Sequence, residues 1–274
     1  MPTWLRYLLP NLITFASLAL GALSIMAAAE GRYMDAGWLI LLGVITDKAD
    51  GILARMLHAE SEFGLHFDSF ADMLNFGVAP AVLWYCYLSR LPDFMPRIVI
   101  TAMALAWIGA AAFRLARFNI VGSDAACART YFGTPTTVTG CTFTALFLTF
   151  MKYSGLALQH EPRLFGHWQL PYRVWTACPG IVLFGALLMA STIRVPKLGR
   201  SQSRALTAVI FVAVAASCIT GVARVLPEVV LVSAGSWIVG SIAWSCLSPS
   251  ARALGVPPLF TRKGNSVPPV ARNS

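Results

Sequence analysis

Residues 47 to 72 read DKADGILARMLHAESEFGLHFDSFAD and set four aspartates, Asp47, Asp50, Asp68 and Asp72, inside an otherwise strongly apolar chain. An isolated ionised carboxylate leaves water only at a high energetic cost, so each one must be paired, neutralised or bound to a metal. On a helix, spacings of three and four residues place side chains on one face. The sequence therefore predicts two helices that each present a pair of carboxylates, and the two faces together form a four-carboxylate cage.

The composition around this stretch indicates a polytopic membrane protein. Of the 274 residues, 57% are hydrophobic and 12% are charged, whereas about 25% of residues are charged in soluble proteins. A segment that crosses a hydrocarbon core needs roughly 20 apolar residues. Such segments lie at residues 9–30, 36–57, 66–89, 97–120, 136–153, 174–193, 205–223 and 229–247. We expect an all-α bundle of about eight transmembrane helices within an integral membrane domain of residues 1–248.

The distribution of basic residues predicts the orientation of this bundle. With the N-terminus inside, fourteen of the 21 lysines and arginines lie on the inner side, and such an excess marks the cytoplasmic side. We expect the aspartate-rich stretch at the cytoplasmic face of the cell (inner) membrane. The net charge of +9 then reflects topology and attraction to membrane lipids, not nucleic-acid binding. Residues 249–274 are predicted to form a disordered, basic, cytoplasmic tail.

The ligand type favours a hard divalent cation in the cage. Oxygen-only ligation suits Mg²⁺ or Mn²⁺, whereas zinc prefers histidine and cysteine. The alternative is a set of structural ion pairs with Lys48, Arg55 and other basic residues. Gly51, Gly64 and, more weakly, Ala54 lie among the carboxylates, where a small residue lets a ligand or a helix approach the backbone. This arrangement predicts a metal site beside a slot for a flat or bulky group, such as a nucleotide.

Eight positions in this stretch match the pattern D-x-x-D-G-x-x-A-R-x8-G-x3-D-x3-D without a gap or substitution: Asp47, Asp50, Gly51, Ala54, Arg55, Gly64, Asp68 and Asp72. The pattern resembles that of the CDP-alcohol phosphatidyltransferase family. The resemblance implies a core of six membrane helices with a site that faces the cytoplasm. It also implies transfer of a phosphatidyl group from a CDP-linked lipid to an alcohol, with release of CMP.

The resemblance further assigns roles to residues. It implies two divalent cations, Mg²⁺ or Mn²⁺, held by the four aspartates, and it makes Asp72 the general base as well. Homodimerisation is a further implication. The CDP-lipid would contact Arg55 through phosphate and a wall of small residues through its cytidine, with this set of residues expected: Asn11, Gly51, Ala54, Arg55 and Gly64.

Other segments resemble one branch of the family, the bacterial membrane-embedded phosphatidylserine synthases. These segments are Pro10-Asn11 and residues 71–80, 114–119, 132–135 and 189–197. The branch implies CDP-diacylglycerol and L-serine as substrates. A guanidinium is well suited to bind the carboxylate of serine. The candidates for the acceptor pocket are therefore Arg114, Arg117 and Asn119.

The sequence departs from the branch at two places. Asn75 stands where a serine is usual, and Gly133-Thr134-Pro135-Thr136-Thr137 stands where the branch has Gly-Leu-Pro followed shortly by a second proline. These departures leave a different acceptor open, such as glycerol 3-phosphate or an inositol phosphate. A cation-coupled transporter is a more distant alternative, since it would also place carboxylates in membrane helices. A noncatalytic scaffold would not be expected to keep all eight signature residues.

Overall fold

The computed structural model describes residues 3–91, 95–121, 130–154, 162–166, 168–196 and 204–248. The predicted tail, residues 249–274, lies outside the described residues. The helices are α1 (Thr3–Ala29), α2 (Tyr33–Met56), α3 (Glu62–Asp72), α4 (Ala79–Leu88), α5 (Arg97–Val121), α6 (Thr136–Tyr153), α7 (Val174–Ala190), α8 (Arg204–Ala223) and α9 (Pro227–Leu247). Two short strands, β1 (Thr130–Phe132) and β2 (Arg194–Pro196), pair antiparallel.

The predicted all-α membrane helix bundle is confirmed. A π-helical turn, Met73–Val78, joins α3 and α4 without a break, so each of the eight predicted apolar segments coincides with one helical rod. Among the described residues, the helices Leu5–Ala29, Arg97–Ile120 and Pro227–Leu247 are long and apolar enough by themselves to cross a membrane. The rods that carry the aspartates, and the threonine-rich α6, are more polar.

Helix α3 begins four residues earlier than the predicted segment, and its first turn explains why. The Ser61 side chain accepts a hydrogen bond of 3.0 Å from the Gly64 backbone N–H, and Glu62 lies in the first turn. Both features stabilise a helix N-terminus, by satisfying an orphan N–H and by opposing the helix dipole. Sequence hydropathy alone did not detect this polar first turn.

An aromatic cluster closes one end of the bundle. Trp84 and Tyr87 of α4 pack on Phe147 of α6 and Trp175 of α7. The Trp84 and Phe147 rings meet edge to face with centroids 5.0 Å apart, an arrangement that aromatic quadrupoles favour. All four side chains are buried, so they form a packed aromatic core between α4, α6 and α7.

The π-helical turn Met73–Val78 lies at the centre of the bundle. It packs against α1, α2, α5 and α6. Gly140 allows α6 to pack closely against this turn, because a Cβ at position 140 would come within 2.9 Å of the Phe76 side chain. Trp107 of α5 donates its indole N–H to the Phe76 carbonyl at 3.3 Å. Since the turn directly follows Asp72, it sets the direction in which α3 presents its carboxylates to α2.

Candidate functional site

A cavity of about 870 Å³ opens where α2 ends and α3 begins. Its walls come from α1, α2, α3, α5, α6 and α9 and from the connection between α2 and α3. All four predicted aspartates line it, Asp47 and Asp50 from α2 and Asp68 and Asp72 from α3. The i and i+3 or i+4 spacing therefore produces the apposed faces that the sequence predicts.

Three of the carboxylates converge tightly enough to share a cation. Asp47, Asp50 and Asp68 each offer an oxygen, and these oxygens lie within 4.8 Å of one another. Asp72 lines the same cavity and interacts electrostatically with Asp47 and Asp68. Asp50 is 5% exposed, and its Oδ2 accepts a hydrogen bond of 2.6 Å from the Thr14 hydroxyl of α1. Helix α1 thus orients Asp50, the most buried of these carboxylates.

Ion pairing neutralises only part of this cluster. Lys48 Nζ lies 2.6 Å from Asp47 Oδ2, and the Lys48 side chain is 64% exposed. The described lining of the cavity holds six acidic side chains against three basic ones, Lys48, Arg55 and Arg114. Carboxylates held this close repel one another unless a cation lies between them. An oxygen-only donor set of this kind fits a hard divalent cation.

The small residues flank the carboxylates as expected, but they serve different purposes. A Cβ on Gly51 would meet no atom within 4 Å, so the backbone there is open to a ligand. A Cβ on Gly64 would lie 3.1 Å from the Ser61 hydroxyl that caps α3 and 3.5 Å from Asn11 Oδ1. Gly64 therefore also keeps the cap intact. Asn11, Ala54 and Arg55 line the same cavity.

The three predicted acceptor residues separate in space. Arg114 of α5 lines the cavity, and its Nη1 lies 3.4 Å from the Thr136 hydroxyl. Arg117 lies outside the described lining and donates to the backbone carbonyls of Phe132, Met189 and Ala190. Asn119 is exposed and exchanges hydrogen bonds of 3.3 and 3.4 Å with Ser69. Of the three, Arg114 is placed to meet a ligand in the cavity.

The two departures from the branch also lie in different surroundings. Asn75 is 0% exposed and packs against α2, where a Cβ on Gly43 would overlap its amide. The second departure falls on Thr134, which is 0% exposed and accepts a hydrogen bond of 2.8 Å from the Thr139 hydroxyl. It also includes Thr136 and Thr137, of which Thr137 lines the cavity. The departure at Asn75 therefore concerns helix packing, and the second departure concerns the cavity wall.

Sequence reasoning missed several residues of this site. Thr14, Thr137 and Trp237 line the cavity from α1, α6 and α9. Thr14 carries a weak signal, because it lies one turn after Asn11 on the same helix face. Thr137 and Trp237 are far from the aspartates in sequence, and their contribution depends on how the helices pack.

A bundle of membrane helices with a carboxylate-lined cavity defines an integral membrane protein whose convergent carboxylates fit a divalent cation. The chain belongs to the CDP-alcohol phosphatidyltransferase family, whose sequence model matches residues 7–175. That match extends from α1 to the start of α7 and includes all eight signature positions. Members of the family are metal-dependent transferases, so the class predicted from the signature is confirmed.

Three relatives illustrate the similarity. A CDP-diacylglycerol--serine O-phosphatidyltransferase of Helicobacter pylori is 35% identical over 196 residues, which cover 72% of this chain and 75% of the relative. An enzyme of the same name from Bacillus subtilis is 33% identical, with 52% and 76% covered. The archaetidylserine synthase of Methanothermobacter thermautotrophicus is 32% identical, with 52% and 58% covered.

Proposed function

We propose that this protein transfers the phosphatidyl group of CDP-diacylglycerol to the hydroxyl of L-serine, giving phosphatidylserine and CMP. The observation that carries the proposal is the cavity itself, in which three convergent carboxylates face a slot of small residues and a buried guanidinium. The relatives above support serine as the acceptor, since all three are named for a serine-containing product or a serine acceptor. The proposed product is phosphatidylserine, since the names of the two bacterial enzymes give CDP-diacylglycerol as the donor.

The proposed cofactors are two divalent cations, Mg²⁺ or Mn²⁺, held by Asp47, Asp50, Asp68 and Asp72. Such cations neutralise a pyrophosphate and stabilise the charge that develops on the transferring phosphoryl group. The chain's own residues orient the donor. Gly51 leaves open backbone beside the carboxylates, and the remaining donor contacts are assigned to these lining residues: Asn11, Ala54, Arg55 and Gly64.

In the proposed step, the serine hydroxyl oxygen attacks the phosphorus that carries diacylglycerol. The new bond joins serine oxygen to phosphorus, the bond between that phosphorus and the CMP oxygen breaks, and CMP leaves with the electron pair. Asp72 takes the hydroxyl proton. Asp72 lies in the cavity one turn beyond Asp68. The proposed general base and the bound CDP-diacylglycerol therefore share one wall of the cavity.

Arg114 is assigned to the serine carboxylate. It is 6% exposed, lines the cavity, and stacks its guanidinium over the Phe118 ring at 5.1 Å. A planar guanidinium held in this way can bind a carboxylate through two parallel hydrogen bonds. The earlier candidates Arg117 and Asn119 would act outside the cavity lining.

The proposed setting is the inner membrane, with the cavity open to the cytoplasm and with residues 249–274 as a cytoplasmic tail. The excess of basic residues on the predicted inner side supports this orientation. A homodimer is the proposed assembly, as the family resemblance implies.

The test is CMP release by purified protein in detergent with CDP-diacylglycerol and Mn²⁺, supplied with one alcohol at a time. We expect serine to support release, and glycerol 3-phosphate or an inositol phosphate not to. If one of these alternatives saturates the enzyme and serine does not, the acceptor assignment is wrong. EDTA should stop the reaction, and added Mg²⁺ or Mn²⁺ should restore it.

The role of Asp72 requires its own variant. Asp72→Asn should abolish CMP release while CDP-diacylglycerol binding is largely retained, because an amide cannot accept the hydroxyl proton. Near-normal turnover by this variant would refute the assignment of the base, without affecting the assignment of the acceptor.

A further inference from the structure

Arg117 binds the ends of two other elements. Its side chain is 5% exposed. Nη1 donates to the Ala190 carbonyl at 3.2 Å, and Nη2 donates to the Met189 carbonyl at 3.1 Å and to the Phe132 carbonyl. Met189 and Ala190 end α7, where backbone carbonyls lack helical partners and carry negative partial charge. Arg117 therefore joins α5 to the end of β1 and to the end of α7.

Gly133 completes this junction from the other side. Its φ is +73°, and a Cβ there would overlap Arg117 Nη2 and the Met189 carbonyl. Its N–H donates to the Ile193 carbonyl at 2.7 Å, and the next residue, Thr134, donates its N–H to the Leu188 carbonyl at 3.2 Å. The backbone that leaves β1 is thus hydrogen-bonded at consecutive residues to the last turn of α7 and to the segment that follows it, and Arg117 lies against this backbone.

This fastened backbone leads directly into the wall of the cavity. Pro135, which precedes α6, and Thr137 and Val138 of the first turn of α6 line the cavity. Arg114, one turn before Arg117 on α5, lines the same wall and lies close to the Thr136 hydroxyl. The two arginines therefore have distinct surroundings. Arg114 reaches the cavity, whereas Arg117 reaches the backbone that leads into the cavity wall.

We infer that Arg117 is a positioning residue for the acceptor side of the cavity and does not itself bind the acceptor. This inference rests on the proposed function for the identity of the acceptor. Arg117 and Gly133 act as one unit that fixes the first turn of α6 relative to Arg114. The residues assigned to the CDP-lipid lie on α1, α2 and α3, so their positions do not depend on this unit.

The physical consequence is selective. A binding site must be held within about 0.5 Å of its productive geometry, and a loosened α6 turn displaces the acceptor pocket without displacing the donor pocket. Disturbing the unit from either side should therefore raise KM for serine and leave KM for CDP-diacylglycerol nearly unchanged. A residue that merely supports folding would affect both substrates or neither.

The experiment measures kcat and both KM values for Arg117→Ala, Arg117→Lys, Gly133→Ala and the double variant Arg117→Ala/Gly133→Ala. We expect Arg117→Ala and Gly133→Ala each to raise KM for serine about tenfold or more, with the donor KM within about twofold. Because both residues serve one unit, the double variant should be no worse than the more severe single variant. Arg117→Lys should recover part of the loss, since it keeps a cation near the carbonyls.

Lys152→Met is the matched control, because it removes a buried cation that also donates to a backbone carbonyl far from this unit. It should lower the unfolding temperature without changing KM for serine. The inference is overturned if Gly133→Ala leaves KM for serine unchanged while Arg117→Ala raises it, which is the result expected of a direct ligand. It is also overturned if both KM values rise in parallel. If wild-type protein uses another alcohol and not serine, the proposed function fails, and the same comparison with KM for that alcohol still decides the role of Arg117.

Discussion

In the described part of the bundle, a charged cluster lies near each end of α6, and the two clusters differ in balance. At the end of α6, Lys152 Nζ lies 2.9 Å from Glu228 Oε1 of α9 and donates to the Pro162 carbonyl at 2.6 Å. Both charged side chains are almost completely buried, at 1% and 0% exposure. The acidic cavity lies beside the first turn of α6, roughly 22 Å away from Lys152 at about 1.5 Å per residue.

The Lys152–Glu228 pair is balanced in charge, whereas the acidic cavity is not. One ammonium faces one carboxylate at Lys152 and Glu228, with Lys152 in the last turn of α6 and Glu228 in the first turn of α9. Each charge thus opposes the dipole of its own helix. In the cavity, six acidic side chains face three basic ones. A charged cluster that is unbalanced and open to solvent therefore points to a ligand, whereas the balanced and buried pair points to a structural role.

Among the variants that test the difference between the cavity and the Lys152–Glu228 pair, Asp68→Asn should have the largest effect. Asp68 is one of the three carboxylates whose oxygens converge, and its loss should lower the rate of CMP release about a thousandfold. The variant should not unfold at a lower temperature without added metal, because removing a carboxylate relieves repulsion among like charges. Turnover and thermal unfolding in detergent measure the two quantities. Activity close to wild type would show that the cluster is not required for the reaction.

Lys152→Met should have the opposite profile. Removing one partner of a buried ion pair leaves an uncompensated charge and costs about 3–5 kcal/mol of stability. Turnover by the folded fraction should stay near that of wild type, since the pair is far from the cavity. Adding Glu228→Leu to the same chain should recover most of the lost stability, because two apolar side chains leave no unpaired charge. An unchanged unfolding temperature in the single variant would contradict the structural role of the pair.

The sequence predicted those features of the site that depend on local spacing. Asp47 and Asp50, like Asp68 and Asp72, lie on one helix face because their separation matches a helical turn. The eight apolar segments also coincide with helical rods, because segment length and apolar content are properties of short stretches. This local information was enough for the helix bundle, the carboxylate cluster and the family.

The features that the sequence did not predict depend on contacts between distant residues. Thr14 reaches Asp50 from α1, and Lys152 meets Glu228 across 76 positions. Neither spacing has a helical or strand period. Arg114 and Arg117 look equivalent in sequence because both are arginines on one helix, one turn apart. Only the position of α7 and β1 shows that Arg117 binds backbone carbonyls whereas Arg114 lines the cavity.

Divalent cations should stabilise the wild-type protein through the acidic cavity alone. A ligand that binds only the folded state adds about 2.7 kcal/mol at a concentration of 100 times its Kd. Mg²⁺ or Mn²⁺ should therefore raise the unfolding temperature of wild type and of Lys152→Met by similar amounts, and of Asp68→Asn by much less. An equal increase in all three proteins would place the bound cations outside the cluster.

Thr14→Val should produce the smallest effect, and it tests how the cluster is oriented. The Thr14 hydroxyl donates to Asp50 Oδ2 at 2.6 Å, and valine preserves the side-chain shape without this donor. Loss of a group that orients a metal ligand weakens cation affinity about tenfold or more, so the variant should need more Mn²⁺ for half-maximal turnover while its maximal rate changes little. Thr149→Val is the matched control, because Thr149 is buried in α6 and donates to the Ala145 carbonyl of its own helix at 2.7 Å. If both variants shift the Mn²⁺ requirement equally, the effect comes from helix packing. If only Thr14→Val shifts it, the hydrogen bond from α1 belongs to the cation site, and the unbalanced charge cluster depends on three helices.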